Sequence, residues 1–179
     1  MPDAVHRAAD DTLRAGHGRM GFLAAIALPL YVLDQITKWW IIRTFDQQSE
    51  PQAVVPNFFY LCHWTNTGAA FGSFKDSNTF FIVLSLLTLG ALLVFYLRGK
   101  FRDALSQWGV ALLVAGILGN VTDRFLHGHV VDFLLFDLHV PYASPWPAFN
   151  VADSCICIAA GLFIIGSFRE EKAAKAAAA

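Results

Sequence analysis

The sequence predicts an all-α membrane protein, with four transmembrane helices and a small extracytoplasmic β-strand region between spans 1 and 2 and between spans 3 and 4. Composition is the first observation behind this: of 179 residues, 56% are hydrophobic and only 15% charged, where soluble domains average about 25% charged. Spacing is the second, because uncharged runs close to the roughly 20 residues needed to cross a bilayer recur along the chain. The third is the uneven placement of Lys and Arg. A net charge of -1 leaves no basic excess for nucleic-acid binding. Cys62, Cys155 and Cys157 form no C-x-x-C pair and read as small buried apolar residues rather than a disulfide or zinc framework.

Taken in order, residues 1–19 are a polar tail. The first span covers about 20–42; Met20 to Leu33 is apolar, Asp34, Thr37 and Lys38 interrupt, and Trp39 to Ile42 complete the length. No small-x-small cleavage site follows it, so it reads as an uncleaved span. The second span, 80–97, carries no charge at all, and the third and fourth cover about 104–121 and 149–168. Residues 169–179 form an Ala-rich tail, and the whole of 1–179 reads as one integral-membrane domain. Nine of the thirteen cations lie in the two tails and the connection between spans 2 and 3 (Arg7, Arg14, Arg19, Arg98, Lys100, Arg102, Arg169, Lys172 and Lys175). The positive-inside rule therefore expects both termini in the cytoplasm. In the outer connections, Val54 to Trp64 and His129 to Val140 are rich in β-branched and aromatic residues and read as strands.

An ionised side chain within a span costs about 2.5–3.5 kcal/mol, so each one needs a reason. Asp34 and Lys38 stand four apart on one helix face and can pair; mutual neutralisation and a direct role are both open. At the outer end of span 3, Asn120, Asp123 and Arg124 share a face, as do Asn150 and Asp153 at the start of span 4. Asp123 beside Arg124 also reads as a neutral junction, and Asn150 as a helix cap. Asp132, within Val130-Val131-Asp132-Phe133-Leu134-Leu135, has an apolar setting that favours its protonated form. Asp132 and Asp153 have no cation within four positions. Brought together they would share a proton, with one activating water and the other donating to a carbonyl oxygen.

Other chemistries lack their motifs. No His precedes Glu, so H-E-x-x-H is absent, and Gly72-Ser73 does not complete G-x-S-x-G. Gly16-His17-Gly18-Arg19-Met20-Gly21 matches G-x-G-x-x-G without the strand such a loop must follow. His127 and His129 find no third ligand at convincing spacing.

Four blocks in order, Asp34-Gln35-Ile36-Thr37-Lys38, Asn66-Thr67-Gly68-Ala69-Ala70-Phe71, Gly119-Asn120-Val121-Thr122-Asp123-Arg124 with Gly128-His129-Val130-Val131-Asp132-Phe133, and Phe149-Asn150-Val151-Ala152-Asp153-Ser154, resemble the lipoprotein signal peptidases, or signal peptidase II, the bacterial aspartic membrane proteases. The resemblance implies Asp132 and Asp153 as a catalytic dyad, Asn66, Asn120, Arg124 and Asn150 lining the site, and Asp34, Lys38, Gly68 and Asp123 supporting it. It also implies a prolipoprotein substrate cut on the amino side of a diacylglyceryl-Cys, lipid contacts, inhibition by globomycin-type peptides, no metal or other cofactor, and a multi-pass protein of the bacterial plasma membrane with its site near the outer face. Nothing demands more than a monomer. Asn66 to Phe71 is a candidate lid. A transporter or proton conductor is the rival class, for which charges spread through the bilayer depth are expected. A non-catalytic assembly protein whose polar residues glue spans together is a third.

Overall fold

The computed structural model describes residues 2–68, 77–141 and 144–177. Seven elements follow in order: α1 (Pro2–Thr44), β1 (Gln52–Val55), β2 (Phe59–Asn66), α2 (Asn78–Leu97), α3 (Ala104–His127), β3 (Val130–Phe136) and α4 (Val151–Ala177). All four helices are long and apolar enough to span a membrane, α1 over Gly18–Thr44. The expected spans are therefore present, but most run further than their apolar runs. Residues 2–19 continue α1, and α3 extends six residues past Val121 through Asn120, Asp123 and Arg124. Hydropathy ends a span where polar residues begin, whereas the backbone hydrogen-bond ladder continues wherever those side chains find partners.

α3 is the axis of the bundle. Of its most apolar stretch 56% is buried inside the protein, against 17% for α1, 11% for α2 and 17% for α4. The outward residues of the other three, Leu28, Leu87 and Ile164 among them, are exposed to the lipid. Leu23 and Ala27 of α1, Leu92 and Tyr96 of α2, and Val110, Ala111, Val114 and Ala115 of α3 form one apolar core. Small residues bring α4 close to α3. A Cβ on Gly116 would stand 2.5 Å from the Ala152 carbonyl oxygen and 2.6 Å from Ile156 Cγ1, and one on Gly109 would stand 3.0 Å from the Phe163 ring. In lipid, where burying apolar surface drives nothing, such close backbone packing is what holds helices together. Both ends of α3 are capped. Asp103 accepts from Ser106 N at 2.9 Å, and Gly128, at φ +77, stops the helix and donates to the Arg124 carbonyl.

The three strands form one antiparallel sheet in the order β1-β2-β3. The Val54 to Trp64 run, expected as one strand, is two: Pro56-Asn57-Phe58 turns between them, with Asn57 at φ +59. Asn tolerates that left-handed conformation, and the apolar Phe58 hides the turn from a hydropathy reading. β3 ends at Phe136 rather than Val140. The β2–β3 register shifts between Leu61 and Trp64, setting Trp64 opposite Asp132 and Asn66 opposite Val130. Phe149 then pairs with Leu134, its N–H donating to the Leu134 carbonyl at 3.1 Å and its carbonyl accepting from Leu134 N at 2.8 Å. That pairing sets the start of α4 beside β3. Ile41 and Phe45 pack with Val131 and Phe133, tying the end of α1 to the same strand. Cys62 and Cys155 are buried as expected, whereas Cys157 is exposed on the outer side of α4.

Gly161 has nothing within 4 Å of a would-be Cβ. Gly161→Ala should leave thermal unfolding in detergent unchanged or raise its midpoint, because Ala is the better helix former by about 1 kcal/mol. Gly116→Ala should lower it by about 1–3 kcal/mol of stability. Equal midpoints for the two variants would mean that the α3–α4 contact does not depend on a missing side chain.

Candidate active site

The ten residues singled out in the sequence converge where α1, α3, β2, β3 and the start of α4 meet. Asp34 (1% exposed), Lys38 (2%), Asp123 (2%) and Asn150 (0%) are sealed from solvent, and Asn120, Arg124 and Asp132 are also buried. Their contacts form two tiers.

The lower tier is ionic. Lys38 Nζ lies 2.9 Å from Asp34 Oδ2 and 2.8 Å from Asp123 Oδ2. Lys38 is therefore more than the partner of the acid one turn before it, and Asp123 turns toward α1 rather than forming a neutral junction with its neighbour Arg124. Each carboxylate also holds a backbone N–H: Asp34 Oδ1 accepts from Ala152 N at 2.8 Å, and Asp123 Oδ2 from Val131 N at 3.1 Å. Ala152 immediately precedes Asp153, and Val131 immediately precedes Asp132. Gln35, given no role in the sequence reading, donates from Nε2 to Asp34 Oδ2 (3.1 Å), Asp123 Oδ1 (3.1 Å) and the Gly119 carbonyl (3.3 Å). Gly119 itself has no room for a side chain, since a Cβ there would stand 2.5 Å from Asp34 Oδ2. The available signals were an amide within a span, which in lipid must find partners, and two glycines three apart in α3.

The upper tier holds Asp132 and Asp153. Asn120 Oδ1 accepts from Lys38 Nζ at 3.0 Å, so its Nδ2 is left to donate to Asp153 Oδ1 at 2.7 Å. Asn150 caps α4 as expected: its Oδ1 accepts from Asp153 N at 2.9 Å while Asp153 Oδ2 accepts from Asn150 N at 3.2 Å, a reciprocal capping box. The same Asn150 also donates from Nδ2 to Asp132 Oδ1 at 2.9 Å, so one residue holds both carboxylates, Asp132 through its side-chain amide and Asp153 through its backbone N–H. Asn66 Nδ2 donates to Asp132 Oδ2 at 3.1 Å. Burial first, and the negative charge of Asp153 second, push the Asp132 carboxyl up to about 7, against the Asn66 and Asn150 donors and the Lys38 charge.

Above this tier the Gly68 N–H donates to Asn66 Oδ1 at 3.0 Å, and the Gly68 carbonyl accepts from Arg124 Nη2 at 3.0 Å. The Arg124 guanidinium lies over the Phe81 ring at 5.0 Å, and Asn78 Nδ2 donates to the Arg124 carbonyl at 3.2 Å, so the first turn of α2 also touches the site. Ala69 to Phe71, the rest of the candidate lid, lies outside the described residues. Behind Asp132, burial and then the Asp132 charge push the Cys62 thiol up to about 12, which makes it no nucleophile at neutral pH. The His127 and His129 ring centroids are 6.1 Å apart, and the described residues contain no group of three or more His, Cys, Asp and Glu side chains able to hold a metal ion.

Residues 26–169 match the family model of signal peptidase (SPase) II. The chain belongs to that family. It is similar to the lipoprotein signal peptidase of Neisseria meningitidis serogroup C, 42% identical over 156 residues that cover 84% of this chain and 91% of the relative. The lipoprotein signal peptidase of Syntrophotalea carbinolica is 39% identical over 151 residues, covering 83% and 91%. Among solved structures, a bacterial membrane enzyme determined in meso at 2.3 Å superposes with a TM-score of 0.77 at 34% identity, covering 84% of this chain and 90% of that one. Membership of the family and four spanning helices together fit a multi-pass protein of the bacterial inner membrane.

Lys38→Met should destabilise the signal peptidase II fold of this chain by about 3–5 kcal/mol, because it strands two carboxylates away from water. Gln35→Leu should cost less, about 1–3 kcal/mol, the penalty of unmet hydrogen bonds. Unfolding in detergent measures both; a loss below about 1 kcal/mol for Lys38→Met would mean that the cation does not balance Asp34 and Asp123.

Proposed function

We propose that this chain is an aspartic endopeptidase that removes signal peptides from diacylglyceryl-modified prolipoproteins, cutting on the amino side of the lipid-modified Cys and using Asp132 and Asp153 as its catalytic pair. The observation that carries this reading is the sharing of Asn150 by the two carboxylates, Asp132 on its side-chain amide and Asp153 on its backbone N–H, with the charge of Asp153 raising the proton affinity of Asp132. Family membership supports the substrate class. We read residues 1–179 as one integral-membrane peptidase domain, a monomer needing no cofactor, with both termini cytoplasmic, the pair facing the outer leaflet and globomycin-type peptides as inhibitors.

The two carboxylates have different surroundings, and these divide the roles. Asp153 lies in the first turn of α4, where the helix dipole favours an anion, and it accepts from Asn150 N and from the Lys38-oriented Asn120 amide. Asp132 lies on a strand between Val131 and Phe133, both buried. In this reading the single proton of the resting pair resides on Asp132. Asp153 takes a proton from water as the water oxygen attacks the scissile carbonyl carbon, and Asp132 gives its proton to the carbonyl oxygen. The resulting diol collapses when Asp153 passes its proton to the leaving nitrogen, Asp132 recovers a proton from a diol hydroxyl, and the C–N bond breaks. No covalent enzyme intermediate forms. Asn66, Asn120 and Asn150 hold the carboxylates, Arg124 and Gly68 shape the entry, and Asp34, Lys38 and Asp123 support the rest. The signal helix and lipid chains of the substrate supply binding energy far from the reacting bond.

Asp132→Asn and Asp153→Asn should each reduce cleavage of a lipid-modified precursor peptide by at least about 10³-fold. Asp132→Asn should remain folded, because it removes a carboxylate whose charged form the fold disfavours. Retention of a substantial fraction of turnover by either variant would remove that residue from the pair.

Dependence on pH follows from the raised Asp132 value. The pair needs one proton, so kcat/KM should decline as pH rises through about 7. Stability moves in the same sense. Between the unfolded value near ~3.9 and the folded value of about 7, the folded chain binds more protons, so the contribution of Asp132 is complete below that window and lost as pH rises across it. A pH profile flat from 6 to 8, roughly one unit either side of the folded value, would contradict the assignment of the proton.

A further inference from the structure

At the end of the bundle remote from the carboxylates, about 22 Å along α1 from Asp34, three elements bring four cations onto one turn. The Arg19 guanidinium packs against Gly99: a Cβ there would stand 3.0 Å from Nη2 and 3.1 Å from Cζ, and nearer still to Nη1. Gly99 takes φ +68, a conformation that favours glycine. The Tyr96 hydroxyl donates to the Arg19 carbonyl at 3.0 Å, and Arg102 Nε donates to the Gly99 carbonyl at 3.3 Å. Arg19 and Arg102 are thus fastened to the same turn at the C-terminus of α2. Arg98 and Lys100 stand exposed on that turn as well.

A cation at a helix C-terminus is favourable, but four exceed what one helix end requires. Among the described residues none of the four makes an ion pair with a carboxylate. The neighbouring acid, Asp103, is committed to Ser106 at the start of α3. One turn further along α1, Phe22 meets Trp108 edge to face with centroids 5.6 Å apart, and Trp108 remains 47% exposed. An aromatic surface of the kind that sits at the membrane interface thus lies beside cations that, among the described residues, pair with no carboxylate.

We propose that this turn binds the phosphodiester of an anionic phospholipid, the guanidinium groups of Arg19 and Arg102 and the exposed Arg98 and Lys100 meeting the headgroup while Phe22 and Trp108 flank its acyl chain. Guanidinium forks suit phosphate oxygens, and basic pockets between spans are where anionic headgroups lodge. This site is independent of the peptidase chemistry at the other end.

Native mass spectrometry of the full chain, extracted in the presence of equimolar phosphatidylglycerol and phosphatidylcholine, tests it. Wild-type protein should retain phosphatidylglycerol preferentially, and the preference should weaken by about fivefold for each cation removed, in Arg19→Gln, in Arg102→Gln and in the double variant Arg98→Gln/Lys100→Gln. The double variant changes only exposed side chains, so it reports even if Arg19→Gln fails to fold. Arg43→Gln, at the opposite end, should retain lipid like the wild type. Equal retention of both lipids by the wild type, undiminished retention by the double variant, or displacement of the lipid by excess inorganic phosphate would each overturn the proposal.

Discussion

The Lys38 ammonium, caught between Asp34 and Asp123 at under 3 Å from each, is the constraint on which the site depends. Neither carboxylate is an ion-pair partner alone, because each uses an oxygen to hold the backbone N–H just before one of the two upper acids. Lys38 therefore acts as a spacer: by fixing two side chains from α1 and α3 it fixes where β3 and α4 present Asp132 and Asp153. It also sets the third element of the geometry, since the Asn120 amide that accepts from Lys38 has only its donor end left for Asp153. One buried charge thereby orients three polar groups.

Burying so much charge is costly, and the fold offsets the cost by satisfying it locally. The two carboxylates of the lower tier outnumber the single cation, and the remaining negative charge is met by the Gln35 amide and by backbone N–H groups at 2.8 and 3.1 Å. A partly satisfied network of this kind would be worse than an apolar one. α3 makes the satisfaction possible because it carries Gly116 and Gly119 where α4 and Asp34 approach. Stability and site geometry are inseparable here. The α3 glycines that let the helices pack also admit the Asp34 carboxylate, which anchors the start of α4.

Much of this was legible in the sequence, for reasons that differ by level. Four spans were readable because a bilayer imposes a minimum apolar length, and the ten site residues because polar side chains in an apolar chain stand out and fall into recognisable blocks. Their ends were less readable. α3 continues to His127 because Asn120, Asp123 and Arg124 are satisfied by other elements, information that no local hydropathy contains. The hairpin at Asn57 escaped because its neighbour Phe58 is as apolar as the strands. Gln35 escaped for another reason: it adjoins Asp34 in sequence and so does not share its face by helical spacing, yet its amide reaches across to Asp123 on a different helix. Gly119 carries no chemistry of its own, and its role is the space it leaves.

The two upper acids lie on unlike elements, and identical side chains therefore meet unlike surroundings. A strand offers Asp132 no dipole and flanks it with apolar side chains, so it depends on Asn66 and Asn150 for any stabilisation of charge. A helix start offers Asp153 a backbone donor and a favourable field in the same position where Asn150 must sit as a cap. Because Asn150 serves as cap and bridge at once, the placement of the two acids relative to each other rests on a single residue. In the proposed mechanism, moving either acid to a more symmetric environment would leave the pair without a preferred holder for its proton.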